Sequence, residues 1–170
     1  MEFILRPISI TDLYALVEYA NNLKIASNMT DGFPHPYTKE AGEKFINMAT
    51  QGTPPNIMAI DIDGKLSGAI GLHAQTDVLS KSFELGYWLA EPFWSNGIIT
   101  RAVQQMIVYG FEHWDVNRIF ARPYGPNIGS QRVLEKCGFR KEGFFKKAIF
   151  KNGIYLDLNE YAILRSDLEL

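Results

Sequence analysis

Residues 98–114 constrain the fold more than any other stretch of this chain. From Ile99 onward, apolar side chains recur at Ala102, Val103, Met106, Ile107, Gly110, Phe111 and Trp114, at offsets of 3, 4, 7, 8, 11, 12 and 15. That spacing is one face of a 3.6-residue helix, and a helix with one apolar face must lay it on a partner element. Just upstream, Phe83 to Leu89 reads as a strand, and the turn-rich stretch Glu91 to Gly97 joins the two. A strand that feeds a long helix through a tight turn points to a mixed α/β domain.

The remaining elements follow from local chemistry. Phe3 to Arg6 reads as an opening strand stopped by Pro7, and Leu13, Leu16, Val17 and Ala20 space out a helix over 11–22. Asn28 to Tyr37, with Gly32, Pro34 and Pro36, is a loop, and Thr38 can cap a helix that runs to about Thr50. Ile57–Ile62 and Leu66–His73 read as strands joined by Asp63-Gly64, a pair suited to a type I′ hairpin turn. Arg118 to Pro123 is a strand. Asn127 can cap a helix to Lys136, with Gly138 placed for a left-handed stop. Strands near 139–150 and 155–164 meet at Asn152-Gly153. The order is strand, two helices, three strands, helix, strand, helix, two strands. With 170 residues and no linker-like segment, one domain spanning 1–170 is expected.

Composition narrows function by exclusion. Seventeen basic against nineteen acidic residues give a net charge of −2, unlike a duplex-DNA binder. A single cysteine, Cys137, rules out an intrachain disulfide, and near a helix end it reads as a packed thiol. No apolar run reaches the roughly 18–20 residues of a membrane span, and the N-terminus lacks a signal-peptide pattern. A cytoplasmic protein without membrane or DNA partners is expected. His35, His73 and His113 are scattered, so no metal site is expected. There is no G-x-x-x-x-G-K-[ST] run, and Gly68-Ala69-Ile70-Gly71 lies within a strand rather than opening a helix. The loop into the long helix remains the best candidate anion site, because first-turn N–H groups and the helix dipole favour negative charge there.

Three pieces carry a family resemblance: Gly86-Tyr87-Trp88-Leu89, Trp94-Ser95-Asn96-Gly97-Ile98-Ile99, and Asn127-x-x-Ser130-x-x-x-Leu134-Glu135-Lys136-Cys137-Gly138-Phe139. In this order and spacing the chain resembles the GNAT N-acetyltransferase superfamily, and within it the RimJ/RimL-like branch. The resemblance implies a central, mostly antiparallel mixed sheet of about seven strands, splayed between strands 4 and 5 and flanked by about four helices. It implies acetyl-CoA as co-substrate, an amine-bearing acceptor, no metal, and a tendency to form homodimers. Gly97 matches the first glycine of the family loop Q/R-x-x-G-x-G/A. Trp94 stands at the Q/R position, and Ile99 replaces the final small residue. The amides of Trp94, Ser95, Asn96, Gly97, Ile98 and Ile99 are implied to hold the pyrophosphate, and exposed strand backbone at Leu89 and Ala90 to pair with pantetheine. Asn127 matches the asparagine near the thioester end.

Glu84 matches the strand glutamate used as general base. The usual acid, a tyrosine, is replaced by Leu134, which leaves Ser130 to steady the leaving thiolate. The loop with Phe33, His35 and Tyr37 is implied to wall the acceptor site. An α-amine with a pKa of about 7.7–8.0 is roughly 10–15% neutral at pH 7, whereas a lysine near 10.4 is about 0.04% neutral. A sparsely equipped site therefore favours a peptide N-terminal α-amine. Small-molecule amines (polyamine, amino acid or antibiotic) and a non-catalytic acyl-CoA-binding module on the same fold stay open. The basic stretch Arg140, Lys141, Lys146, Lys147 and Lys151 reads as a solvated strand face or as a patch for phosphate or ribosomal RNA.

Overall fold

Turn chemistry sets the strand pairings. In the computed structural model, which describes residues 1–168, Asp63 and Gly64 both hold positive φ, at 54° and 80°, as do Asn152 and Gly153 at 51° and 79°. Each pair is the whole two-residue loop of a hairpin, between Ile62↔Lys65 and Lys151↔Ile154. The strands are β1 Ile4–Pro7, β2 Ile57–Ile62, β3 Lys65–Ala74, β4 Ser82–Leu89, β5 Arg118–Ala121, β6 Arg140–Lys151 and β7 Ile154–Leu164. The helices are α1 Leu13–Ala20, α2 Leu23–Ala26, α3 Lys39–Ala49, α4 Ile98–His113 and α5 Ile128–Lys136.

The strands form one mixed sheet of seven in the order β1-β2-β3-β4-β5-β7-β6. β4 and β5 run parallel, while β1–β2, β2–β3, β5–β7 and β6–β7 are antiparallel. The parallel ladder is short. Its register runs from Ser82↔Arg118 to Glu84↔Phe120, whereas β4 continues to Leu89.

Boundaries differ from expectation where side chains compete with the backbone. The helix expected over 11–22 is a 3₁₀ turn at Ile10–Asp12 and then α1, which ends at Ala20; beyond it the unexpected single turn α2 makes five α-helices among the described residues. Two asparagines cause the break. Asn22 is extended (φ −142°) and its side chain caps Lys24 N–H, while the Asn21 side chain accepts from Tyr37 N–H at 3.0 Å. β1 does end at Pro7, which is its last residue and still pairs with Met58, because β1 is an edge strand where a missing N–H costs little. β5 stops at Ala121, two residues short of Pro123, and α4 stops at His113 rather than Trp114.

The chain divides into two compact units. The first comprises Met1–Gly71 and Tyr87–Ala102. Its core sets Leu16, Ala20, Ile46, Ala59, Leu66, Ala69 and Trp88 together, all nearly inaccessible. At its edge Arg6 joins two buried carboxylates, donating to Asp12 at 2.7 and 2.9 Å and to Asp61 at 2.6 Å. The second unit comprises Leu72–Gly86 and the chain from Val103 onward. There the periodic face of α4 is buried at Val103, Met106, Ile107 and Phe111, and Trp114 meets Phe83 edge to face at 5.4 Å. Gly110 allows a close approach, since a Cβ there would stand 2.6 Å from the Leu72 side chain. Tyr161, fully buried on β7, donates to Glu135 of α5 at 3.0 Å.

Candidate active site

In the first unit, β4 ends in a shaped turn. Trp94 donates its indole N–H to the Leu89 carbonyl at 2.7 Å, and Ala90 N–H donates to the Ser67 carbonyl at 2.8 Å. The Ala90 carbonyl accepts from Phe93 N–H at 3.0 Å. Leu89 and Ala90 are 5% and 0% exposed, so the expectation of exposed backbone at both residues is corrected. Three of their four main-chain groups are engaged, two within this turn and one with β3. Strand alternation turns the remaining one, Leu89 N–H, to the side away from Ser67.

The turn then opens outward. Ser95 and Gly97 hold positive φ, at 64° and 69°, and a Cβ at Gly97 would meet nothing within 4 Å. The Asn96 side chain donates to the carbonyls of Phe93 (3.1 Å) and Trp94 (3.0 Å), so it shapes the turn and leaves backbone amides for other work. Residues 94–97 are exposed, Ile98 is buried, and Ile99 is half-buried. Arg101 N–H donates to the Gly97 carbonyl at 3.2 Å, which makes Gly97 the N-cap of α4. The first-turn amides point out of the helix end with the positive end of its dipole, a geometry suited to phosphate.

The loop at 30–37 divides its aromatic residues. Phe33 and Tyr37 turn inward with ring centroids 4.9 Å apart, and Phe33 meets Trp88 edge to face at 5.8 Å. Burial pushes the Tyr37 phenol up to about 12. Of the three loop residues expected to wall an acceptor site, His35 alone is exposed.

In the second unit Glu84 lies on β4, half-exposed, with Arg122 3.3 Å from Oε2. Arg122 also approaches Glu160 at 3.9 Å. His73, on β3, occupies the same face. Asn127 caps α5 by accepting Ser130 N–H at 3.2 Å through Oδ1, and its Nδ2 donates to no group among the described residues. Ser130, half-buried, stands in the first turn of α5. Leu134 is fully buried, so the position where the family places its acid is a core position here. Cys137 is half-buried, and burial pushes its thiol up to about 11. Lys141, Lys146 and Lys147 are exposed on the edge strand β6, where lysines protect against unwanted pairing, whereas Lys151 is buried.

Sequence reasoning missed Arg122 and His73. Arg118, Phe120 and Arg122 alternate onto one face of β5 and its extension, a period that was visible, but only the β4–β5 ladder sets that face beside a β4 carboxylate. Among the described residues, no group of three or more His, Cys, Asp or Glu side chains could hold a metal ion, and no helix is long and apolar enough to cross a membrane.

Residues 2–140 match the family model of the acetyltransferase (GNAT) domain. The chain belongs to the GNAT acetyltransferase family. It is 30% identical over 166 residues to YnaD of Bacillus subtilis, named an uncharacterized N-acetyltransferase, covering 96% of this chain and 94% of that one. It is 34% identical over 100 residues to the ribosomal-protein-serine acetyltransferase of Escherichia coli, covering 59% of this chain and 55% of that one. Three Bacillus subtilis relatives are likewise matched over 56–59% of their own length. Among solved structures, a GNAT-family acetyltransferase from Bacillus anthracis superimposes with a TM-score of 0.84 at 26% identity, covering 98% of this chain and 96% of that one. These GNAT relatives account for the seven-stranded sheet and the parallel β4–β5 pair.

Proposed function

We propose that this GNAT chain moves the acetyl group of acetyl-CoA to a primary amine, preferentially a protein or peptide N-terminal α-amine, by direct attack within a ternary complex. The observation that carries the reading is the 94–99 turn. Two left-handed residues, an open flank at Gly97 and the α4 N-terminus present amides where a pyrophosphate can dock. Ile99 does not defeat this arrangement, because the contacts come from main-chain N–H groups. Leu89 N–H is the main-chain donor for the pantetheine arm, and the end of the β4–β5 ladder at Glu84↔Phe120 supports a splayed sheet. Asn127, with Oδ1 committed to the cap, offers Nδ2 toward the thioester end. Ser130 steadies the departing thiolate, and Glu84 draws the amine's proton, through water or a neighbouring side chain. His35, the exposed one of the three loop residues, meets the acceptor in this reading.

A thiolate is a fair leaving group, its parent thiol titrating near about 8.5, so hydrogen bonding can stand in for a full acid. The name of the E. coli relative, a ribosomal-protein-serine acetyltransferase, supports a protein acceptor. The test is CoA release from acetyl-CoA across peptides, polyamines, amino acids and aminoglycosides. Release with N-terminal α-amines in preference to lysine side chains is expected, and release only with small polyamines overturns the acceptor assignment. One observation favours a second reading. With Leu134 buried there is no acid at the family position, which suits an acyl-CoA-binding module. CoA binding without release for any amine would establish it.

A further inference from the structure

The imidazole of His73 stands on the sheet face that carries Glu84. Gln75 N–H donates to the Ser82 carbonyl at 3.1 Å, which marks these residues as a hydrogen-bonded pair of β3 and β4. Counting two residues back along β3 and two forward along β4 sets His73 opposite Glu84, on the same sheet face. The imidazole leans forward along β4, and a Cβ on Gly86 would lie 3.6 Å from its Nε2 and 3.9 Å from its Cδ2. Gly86, lacking that carbon, leaves room beside the ring.

The two candidate bases on this face are not equivalent. Arg122 already engages Oε2 of Glu84 at 3.3 Å. Neither ring nitrogen of His73 is hydrogen-bonded among the described residues, and the residue is exposed. The charged group that acts on it is Glu84 from β4, and Glu84 is in turn joined to Arg122, which approaches Glu160. Desolvation holds the imidazole below its ordinary value and so neutral, free to accept a proton, while the Glu84 carboxylate opposes that shift and stabilises the imidazolium that results.

We propose that His73 is the catalytic residue that takes the proton from the incoming ammonium, with Glu84 holding the imidazolium. The inference rests on the acetyltransferase reading above. The ammonium transfers one proton to Nε2, and the freed nitrogen lone pair forms a C–N bond to the acetyl carbon. The C–S bond breaks with its electron pair passing to sulfur, and a second proton passes from nitrogen to the thiolate. The imidazolium then returns its proton to solvent, leaving amide and CoA.

The test compares wild type, His73→Gln and His73→Ala with acetyl-CoA and primary amines graded in basicity. With an alkylamine fully protonated at pH 7, His73→Gln is expected to lower kcat by about 100-fold or more. KM for acetyl-CoA stays unchanged. The defect shrinks with an amine already neutral at the assay pH, and free imidazole restores part of the His73→Ala rate. The acidic limb of the kcat–pH profile, which lies below the ordinary imidazole value, disappears. A purely structural role would slow all amines alike and show no rescue. Rates within twofold of wild type across the panel, or equal losses for neutral and protonated amines without imidazole rescue, overturn the assignment. In either case wild-type turnover leaves the acetyltransferase reading standing. If wild type binds acetyl-CoA but releases CoA with no amine, both fall together.

Discussion

Glu84 divides its carboxylate between Arg122 and whatever approaches from solvent, and that division sets what its removal should do. The pair is half-exposed, and such ion pairs contribute about 0–1 kcal/mol. Glu84→Gln should therefore leave the urea midpoint almost unmoved. If the carboxylate serves the amine's proton, the same substitution should lower kcat at least about tenfold with acetyl-CoA affinity retained. Unchanged turnover with any accepted amine would remove Glu84 from the chemistry. Arg6 is the contrasting case, because it faces two carboxylates that are only 7% and 6% exposed. Arg6→Met strands both, and breaking a buried pair in this way costs about 3–5 kcal/mol, readable in urea unfolding at pH 7. The linkage has a definite sign. Burial pushes the Asp12 carboxyl up, but hydrogen bonds from Arg6 and from Ser9 N–H outweigh it and hold the group below its ordinary value. Its contribution is thus complete above about pH 3.9 and is lost as pH falls further, through the folded-state value. Asp12→Asn should lower stability at pH 7 and flatten the loss as pH falls below the ordinary carboxylate value.

Elements were legible wherever one local signal ruled. Asp63-Gly64 and Asn152-Gly153 announced two hairpins, Thr38 and Asn127 announced two caps, and the apolar face of α4 was visible from its spacing. The break between α1 and α2 was not legible, since it depends on Asn21 bonding to Tyr37, sixteen positions away. The site divides along the same line. The 94–99 turn could be read because glycine and helix-start chemistry are local. The meeting of His73, Glu84 and Arg122 could not, because it needs the β3–β4 register and the β4–β5 ladder together. Gly68 shows how an element hides such a constraint. It reads as a weak strand residue, yet a Cβ there would stand 2.4 Å from the Trp88 carbonyl oxygen, a backbone atom that cannot swing away. Gly68→Ala should cost about 1–3 kcal/mol or more by overpacking. Gly97→Ala meets no atom and costs only the left-handed conformation, about 1–2 kcal/mol. Thermal melts of the two variants should fall in that order.

For the whole molecule, a ligand that binds only the folded state raises global stability by mass action, wherever on the surface it docks. At 100 times its Kd the gain is about 2.7 kcal/mol. A chain of this size shifts Tm by about 2–4 °C per kcal/mol, so CoA should raise the melting temperature by about 5–11 °C. Adenosine alone, without the pyrophosphate, should give far less if amides of the 94–99 turn hold that group. The shift also separates binding from chemistry. Gly97→Val crowds and strains the turn and should abolish most of the CoA-induced gain, whereas Glu84→Gln and His73→Gln, which leave the turn intact, should retain it. Cys137 leaves a thiol-reagent assay of released CoA readable, because a thiol pushed up to about 11 reacts slowly at neutral pH. A CoA shift that survives Gly97→Val undiminished would move the pyrophosphate away from this turn.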